Sequence, residues 1–201
     1  MTDKKQIFKI SAICLGLGAT VAAGAFSAPL ASNIFWVCGN YHAMRNEFRA
    51  AVDDCTRALW LNPRNQGAFT SRGGAYNGLE NYEEAIADST KAISLNPEDA
   101  TPYANRAYAY NEMKQYQKAV DDYTAAISFD SSDADDYIYR GNAYASLNQH
   151  EKAIDDYDAA IRRSPRSGEA YYQRALAYEK LGKTDLAAQD KAASVKYGFK
   201  P

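Results

Sequence analysis

Histidine and cysteine, the residues that most often bind metals or move protons, are scarce in this sequence. The 201 residues include two histidines, His42 and His150, and three cysteines. Neither histidine has a cysteine or another histidine at metal-ligand spacing, and no glycine-rich phosphate loop occurs. Aspartates are plentiful, but they recur at a fixed interval, which is typical of a solvated helix face. We therefore predict no catalytic residue, no metal site, no cofactor and no enzymatic activity.

An excess of positive charge is also missing. Lysine and arginine number 23 against 25 aspartates and glutamates, which gives a net charge of −2. A general nucleic-acid-binding surface needs a basic patch or stripe, so a nucleic acid is not an expected partner. The 16 tyrosines mostly fall on recurring core positions, which favours structural packing over the stacking of bases.

The one long apolar run lies near the start of the sequence, over residues 10–26. Three lysines precede it: Lys4, Lys5 and Lys9. A charged start, an apolar middle and small residues at Ala23 and Ala25 are features of a secretory signal peptide, and the run is short for a membrane span. We predict a cleaved signal over residues 1–25 and a linker over 26–31 in a periplasmic or secreted protein. The alternatives are an uncleaved anchor formed by residues 10–26 and a cytosolic protein.

A period of 34 residues organises the remainder of the chain. One series of aromatic residues shows it: Phe35, Phe69, Tyr103, Tyr137 and Tyr171. The register holds without insertion from residue 32 to residue 201, which predicts five stacked supersecondary units. These units span residues 32–65, 66–99, 100–133, 134–167 and 168–201.

Each unit has the residue pattern of two helices. In the second unit, Phe69, Gly73 and Tyr76 follow a period near 3.6, and a similar pattern starts again at Tyr82. Pro97 then ends the second helix, because proline lacks the amide hydrogen and disfavours helix in the residue before it. The pattern predicts antiparallel helix pairs that cross at recurring glycines and alanines.

The recurrence of an aromatic residue, glycine or alanine, tyrosine, leucine and further alanines at fixed offsets resembles the tetratricopeptide repeat family over all five units. The closing proline is less regular, since Ser131 and Phe199 replace it in two units. The resemblance implies an all-α fold, a right-handed α-solenoid of antiparallel helix pairs (the TPR superhelix). It also implies a concave face lined by the first helices, and a scaffold whose partners are proteins or peptides.

The concave face that the resemblance implies is rich in asparagine and tyrosine. The candidate partner-binding residues are Asn40, Asn77, Asn105, Tyr108, Tyr139, Asn142, Tyr172 and Gln173. Amide side chains can satisfy the backbone of an extended peptide, and tyrosine adds rigid apolar area with a polar tip. Asp135 and Glu169 make an anionic C-terminus a poor ligand. The alternative is that these residues are merely solvated.

We therefore predict a non-enzymatic scaffold that binds a protein or peptide segment in its concave groove. The alternative is a structural subunit of an envelope complex that assembles through its convex face or its ends, including a homodimer through the terminal helix. A membrane contact is expected only through an uncleaved N-terminal segment.

Arginine and aspartate also recur with the period of the repeat. The two series are Arg72, Arg106, Arg140 and Arg174, and Asp54, Asp88, Asp122 and Asp156. The arginines lie on first helices and the aspartates on second helices, so the two residue types are level in an antiparallel pair or across to the following unit. We expect structural ion pairs that fix how the units stack. The alternative is recognition of an acidic ligand by the arginines.

Two cysteines, Cys38 and Cys55, lie in the first unit. Their places should be close across the helix pair, and an exported protein meets an oxidising compartment. We advance a Cys38–Cys55 disulfide, which would contribute about 3 kcal/mol in the chain-entropy model. The alternative is a pair of buried free thiols.

Overall fold

The computed structural model describes residues 27–200, and over that range the chain forms helices and turns only. Its ten α-helices are α1 (Ala28–Met44), α2 (Phe48–Leu61), α3 (Gln66–Gly78), α4 (Tyr82–Leu95), α5 (Ala100–Glu112), α6 (Tyr116–Phe129), α7 (Ala134–Ser146), α8 (His150–Arg163), α9 (Gly168–Lys180) and α10 (Thr184–Lys196). The predicted all-α solenoid of helix pairs is confirmed. The predicted signal or anchor over residues 1–25 lies outside the described residues. None of the described helices is long and apolar enough to cross a membrane.

The helices group into two compact units that divide between Glu98 and Asp99. The first unit contains the pairs α1/α2 and α3/α4, and the second contains α5/α6, α7/α8 and α9/α10. In the first unit α3 contacts both α2 and α1. In the second unit the odd-numbered helices also lie side by side, since α7 contacts α5 and α9.

Helix α1 begins earlier than the sequence indicated. It starts at Ala28 with Pro29 in its first turn, where proline is well tolerated. Ala31 and Ser32 are buried, and the Ser32 hydroxyl donates a hydrogen bond to the carbonyl of Ala58 at 2.8 Å. The prediction of a linker over residues 26–31 is therefore wrong for its described part, because these residues pack against α2.

The start of each later odd helix and the turn inside each pair are fixed by local chemistry. Asn65 caps α3 by accepting from the Ala68 amide at 3.1 Å, and Asp133 caps α7 by accepting from the Asp135 amide at 2.9 Å. The turn inside each pair has one left-handed residue, with φ between 59° and 71°. These residues are Asn46, Glu80, Lys114, Asn148 and Gly182.

Small residues permit the close crossing of the two helices in a pair, as the sequence predicted. A Cβ added at Gly73 would lie 3.0 Å from the Ser89 hydroxyl and 3.4 Å from the Ala85 carbonyl. At Gly39 the corresponding Cβ would lie 2.5 Å from the sulfur of Cys55. The helices therefore approach closely enough that the side chain facing each glycine occupies the space of a Cβ.

The same geometry overturns the predicted disulfide between Cys38 and Cys55. Cys55 is a fully buried free thiol, and burial raises its pKa to about 12. It stands at the repeat position of Ser89, whose side chain faces Gly73, so it points at Gly39 and not at Cys38. The register of the helix crossing thus makes Cys55 a small core residue.

Candidate functional site

Four arginines form forked ion pairs with the aspartates of their own helix pairs. Arg72 donates to both carboxylate oxygens of Asp88, at 2.6 Å and 2.9 Å. The same two-bond pattern joins Arg106 to Asp122, Arg140 to Asp156 and Arg174 to Asp190. The side chains are mostly buried, with the arginines 16–18% exposed. Because each arginine has its own carboxylate, the series is not an unoccupied basic patch for an acidic ligand.

The remaining nitrogen of the guanidinium group links successive helix pairs. Arg72 donates to the Thr56 hydroxyl on α2 at 3.0 Å, and Arg140 donates to the Thr124 hydroxyl on α6 at 3.1 Å. In the last pair Arg174 reaches the carboxylate of Asp158 on α8. These arginines therefore fix both the packing within a pair and the stacking of one pair on the preceding pair.

The first helix pair has a variant of this ion pair, because Cys38 occupies the arginine position. There Asp54 contacts Nδ1 of His42 at 3.0 Å and Arg57 at 3.1 Å. Burial is the main cause of the raised pKa of Asp54, opposed by the nearby His42 and Arg57. His42 thus makes a polar contact with the aspartate.

Half-buried and exposed side chains of α5, α7 and α9 form a surface that we call the odd-helix face. It comprises Asn105, Tyr108, Asp135, Tyr139, Asn142, Glu169, Tyr172 and Gln173. Tyr139 is at its centre: its ring meets Tyr108 edge-on at 5.9 Å and stacks on the buried Tyr123 at 6.1 Å. The face is therefore continuous across neighbouring helix pairs of the second unit.

Carboxylates surround Tyr139. Burial raises the pKa of the Tyr139 hydroxyl, and the charges of Glu169 and Asp135 raise it further. The pKa of Glu169 is itself raised, first by burial and then by the charge of Asp135. The pKa of the buried Asp136 rises to about 6, chiefly because of burial and then because of Asp133 and Asp135. This part of the odd-helix face is consequently acidic and aromatic.

A cavity of about 310 Å³ opens beside Asn142, between α7, α8 and α9. Its wall includes Asn142, His150, Tyr157, Gln173, Leu176 and Lys180. The buried Tyr157 hydroxyl donates to the side-chain oxygen Oδ1 of Asn142 at 2.8 Å, which fixes the Asn142 side chain. Nδ1 of His150 is buried and has no hydrogen-bond partner within residues 27–200. The cavity thus joins an apolar wall to polar groups that a ligand can engage.

The other predicted binding residues are more dispersed. Tyr172 stacks near Phe199 with 5.1 Å between ring centroids. Asn105 is half-buried on α5. Asn40 and Asn77 are half-buried in the first unit, where the Trp36 indole donates to the Ser71 hydroxyl at 2.9 Å and joins α1 to α3. The structure therefore brings Tyr108 and Tyr139 together, and places Asn142 and Gln173 around one cavity.

Several residues that support the odd-helix face or the arginine ion pairs were not identified from the sequence. Tyr123 and Tyr157 looked like core rings, although both also contact residues of the odd-helix face. The sequence could have indicated that Asp136 is unusual, because it stands where the second and fifth repeats have Ala68 and Ala170. Thr56 also recurs with the period of the repeat, as Thr124.

Three sequence models for this type of repeat match the chain. Two are described as tetratricopeptide repeat and match residues 67–99 and 100–133, and one is described as TPR repeat and matches residues 141–182. Comparison of the sequence with curated proteins gave no match.

Solved structures with the same fold include MamA and YrrB. A crystal structure of MamA is 26% identical, with a TM-score of 0.72 over 83% of this chain and 91% of the MamA chain. MamA from Desulfovibrio magneticus RS-1 is 17% identical, with a TM-score of 0.74 over 83% of this chain and 94% of that chain. YrrB, described as a TPR protein with an unusual peptide-binding site, is 19% identical, with a TM-score of 0.67 over 80% and 82%.

Proposed function

Because this chain belongs to the tetratricopeptide repeat family, we propose that it binds a protein or peptide segment along the odd-helix face. Proteins of this family are typically non-enzymatic scaffolds for protein–protein interaction, and the fold of this chain is that of such a scaffold. YrrB, which has the same fold, is described as having a peptide-binding site. The partner of this chain would be held in place without being chemically altered.

The cavity beside Asn142 is the observation that carries the proposal. A peptide bound along α7 and α9 could place one side chain in this space of about 310 Å³. The Tyr157 hydroxyl already donates to Oδ1 of Asn142, so the side-chain amide hydrogens of Asn142 are left as donors for a ligand. Gln173, on the opposite helix, supplies a second amide. Peptide-binding pockets commonly combine such an apolar wall with a few fixed polar groups.

Site-specific photocrosslinking in cells tests where the partner binds. A photoreactive amino acid replaces Gln173 on the odd-helix face or, as a control, the exposed Arg162 on α8. We expect protein crosslinks from position 173 and few from position 162. Crosslinks from position 162 alone would contradict the proposal and favour assembly through the outer helices.

A double substitution, Tyr139→Ala with Asn142→Ala, adds a functional measurement. We expect loss of the crosslink at position 173 and retention of helical circular dichroism, because the altered residues lie on the odd-helix face. The matched control is Lys152→Ala with Glu151→Ala on the exposed side of α8. Equal loss of crosslinking in both double variants would contradict binding at this face.

A further inference from the structure

Two carboxylates on neighbouring helices, Asp135 and Glu169, both act electrostatically on Tyr139. Asp135 on α7 and Glu169 on α9 occupy the same repeat position, and the charge of Asp135 acts on Glu169. Neither carboxylate makes an ion pair within the described part of the chain. Acidic residues in a first helical turn are favoured by the helix dipole, which accounts for these two positions taken alone.

Two further polar groups lie in this region: Asp136, also in the first turn of α7, and Tyr123 on α6, which stacks on Tyr139. Asp136 is 8% exposed and Tyr123 is 1% exposed. In residues 27–200 the Asp136 carboxylate makes neither an ion pair nor a hydrogen bond, and the Tyr123 hydroxyl makes no hydrogen bond. Buried polar groups are nearly always paired, because leaving them unpaired is costly. A largely buried carboxylate without an ion-pair partner, such as Asp136, is stabilised when a cation pairs with it.

Among the described residues, the cation that acts on Asp136 is Arg140, and it is already engaged. Arg140 lies one turn after Asp136 and partly offsets its charge. Both carboxylate oxygens of Asp156 and the Thr124 hydroxyl occupy its guanidinium group. Arg140 is therefore not free to neutralise Asp135, Asp136 and Glu169, and no other residue of the range 27–200 forms an ion pair with them.

We propose that this place, the Tyr139 site, binds the cationic side chain of an arginine or lysine in the bound protein segment. The Tyr139 site comprises Tyr108, Tyr123, Asp135, Asp136, Tyr139 and Glu169. Tyr108 and Tyr139, whose rings are half-buried, can make a cation–π contact. Its carboxylates accept charge-assisted hydrogen bonds. The inference rests on the proposed function, since the cation belongs to the segment that lies along the odd-helix face.

A small probe tests the Tyr139 site without knowledge of the partner. N-acetylarginine methylamide is titrated into the full chain labelled with nitrogen-15, and N-acetylcitrulline methylamide is the neutral isostere. We expect saturable amide shifts at Asp135, Tyr139 and Glu169 with the arginine probe. The citrulline probe should bind about fivefold to tenfold more weakly, because it lacks the charge. Equal binding of the two probes would overturn the inference.

Charge removal at the site supplies the matched comparison. Asp135→Asn with Glu169→Gln should weaken the arginine probe about fivefold to tenfold. Asp121→Asn with Asp155→Asn removes the same charge from exposed positions on α6 and α8, and should leave the affinity unchanged. An equal loss in both variants would show only a general effect of net charge, and would contradict a specific site. Asp136→Ala, measured separately, should also weaken the probe.

The two proposals fail in different ways. If partner crosslinks at position 173 persist in full in the Asp135→Asn, Glu169→Gln variant and the arginine probe does not bind, the Tyr139 site is wrong and the scaffold role stands. If the arginine probe binds but no protein crosslinks to position 173, the proposed function is wrong. Binding of a free polyamine with no effect on partner crosslinking would also overturn the assignment to a protein side chain.

Discussion

Asp136 stands where the second and fifth repeats have Ala68 and Ala170, both fully buried. At this position a side chain packs between helix pairs, so the carboxylate of Asp136 loses most of its water. Its pKa rises from 3.8 to about 6, chiefly through burial. The groups that act on it are Asp130, Asp133, Asp135 and, with opposite sign, Arg140. The charged form is therefore a source of instability at neutral pH.

We expect Asp136→Ala to stabilise the folded chain at pH 7 by up to about 3 kcal/mol, because the pKa rises by about two units and one unit corresponds to about 1.4 kcal/mol. In the native chain the folded state holds this proton more tightly than the unfolded state does. The contribution of Asp136 to stability is thus highest below about pH 4 and falls as the pH rises through its folded pKa of about 6.

Urea unfolding of the wild type and of Asp136→Ala at pH 4.5 and at pH 7.5 measures this effect. The difference in unfolding free energy between the two proteins should be larger at the higher pH. Asp155→Ala, which removes an exposed carboxylate from α8, should change stability by less than about 0.5 kcal/mol at either pH. A destabilised Asp136→Ala at pH 7.5 would contradict the account.

At the scale of the helix pair, the four recurring arginines, which we call the arginine ladder, stabilise the packing within a pair and against the preceding pair. They are Arg72, Arg106, Arg140 and Arg174. Arg140 donates two bonds to Asp156 on α8 and one to Thr124 on α6, and its guanidinium lies 5.6 Å from the Tyr137 ring centroid. We expect Arg140→Ala to destabilise the chain by about 3 kcal/mol, because it leaves the buried Asp156 without a partner.

Thermal and urea unfolding of matched variants check the role of Arg140. The control Arg162→Ala removes an exposed arginine from α8 and should have an effect below about 0.5 kcal/mol. Arg140→Lys keeps the charge but cannot form the fork, so it should lie between wild type and Arg140→Ala. Replacing both Arg140 and Asp156 by alanine should restore part of the stability, since no charge is then left unpaired. Equal melting temperatures for Arg140→Ala and Arg162→Ala would contradict a stabilising role of the Arg140 ion pair.

The helix pairs were predictable because their determinants recur. The aromatic series that includes Phe69 and Tyr103, and small residues such as Gly73 and Ala85, define the amphipathic pattern and the crossing point. The hairpin turn was harder, because glycine occupies its left-handed position only at Gly182. Lys114 adopts the same conformation at φ 59°. Lysine has no preference for the left-handed region, so its presence in the sequence does not predict this conformation.

The candidate site was less predictable, because it depends on which side chains of adjacent repeats meet. The spacing of Cys38 and Cys55 placed them on facing helices, but a difference of one position decided that Cys55 faces Gly39 instead. Tyr139 and Asn142 followed from the repeat pattern. The cavity beside Asn142 did not, since its shape depends on Leu176 and on the conformation of the Tyr157 ring.

At the scale of the whole molecule, the chain divides into units of unequal repeat number. Residues from Asp99 onward contain three helix pairs, whereas the described residues up to Glu98 contain two. In a solenoid each pair buries its apolar faces mainly against its neighbours, and about three repeats are needed for independent stability. The core clusters of the second unit, around Tyr123, Tyr137 and Tyr157, lie entirely within it.

We therefore expect a fragment of residues 99–201 to fold by itself, with a helical circular dichroism spectrum and a cooperative urea transition. A fragment of residues 27–98 should show a lower midpoint or no cooperative transition, because it has fewer stacked pairs. Arg140 and Arg174, which bond to the preceding helix pair, lie in the larger fragment and keep these partners there. An unfolded larger fragment would contradict this account, since its stability would then depend on residues before Asp99. If that fragment folds and binds the arginine probe with the affinity of the full chain, the Tyr139 site is self-contained in three repeats.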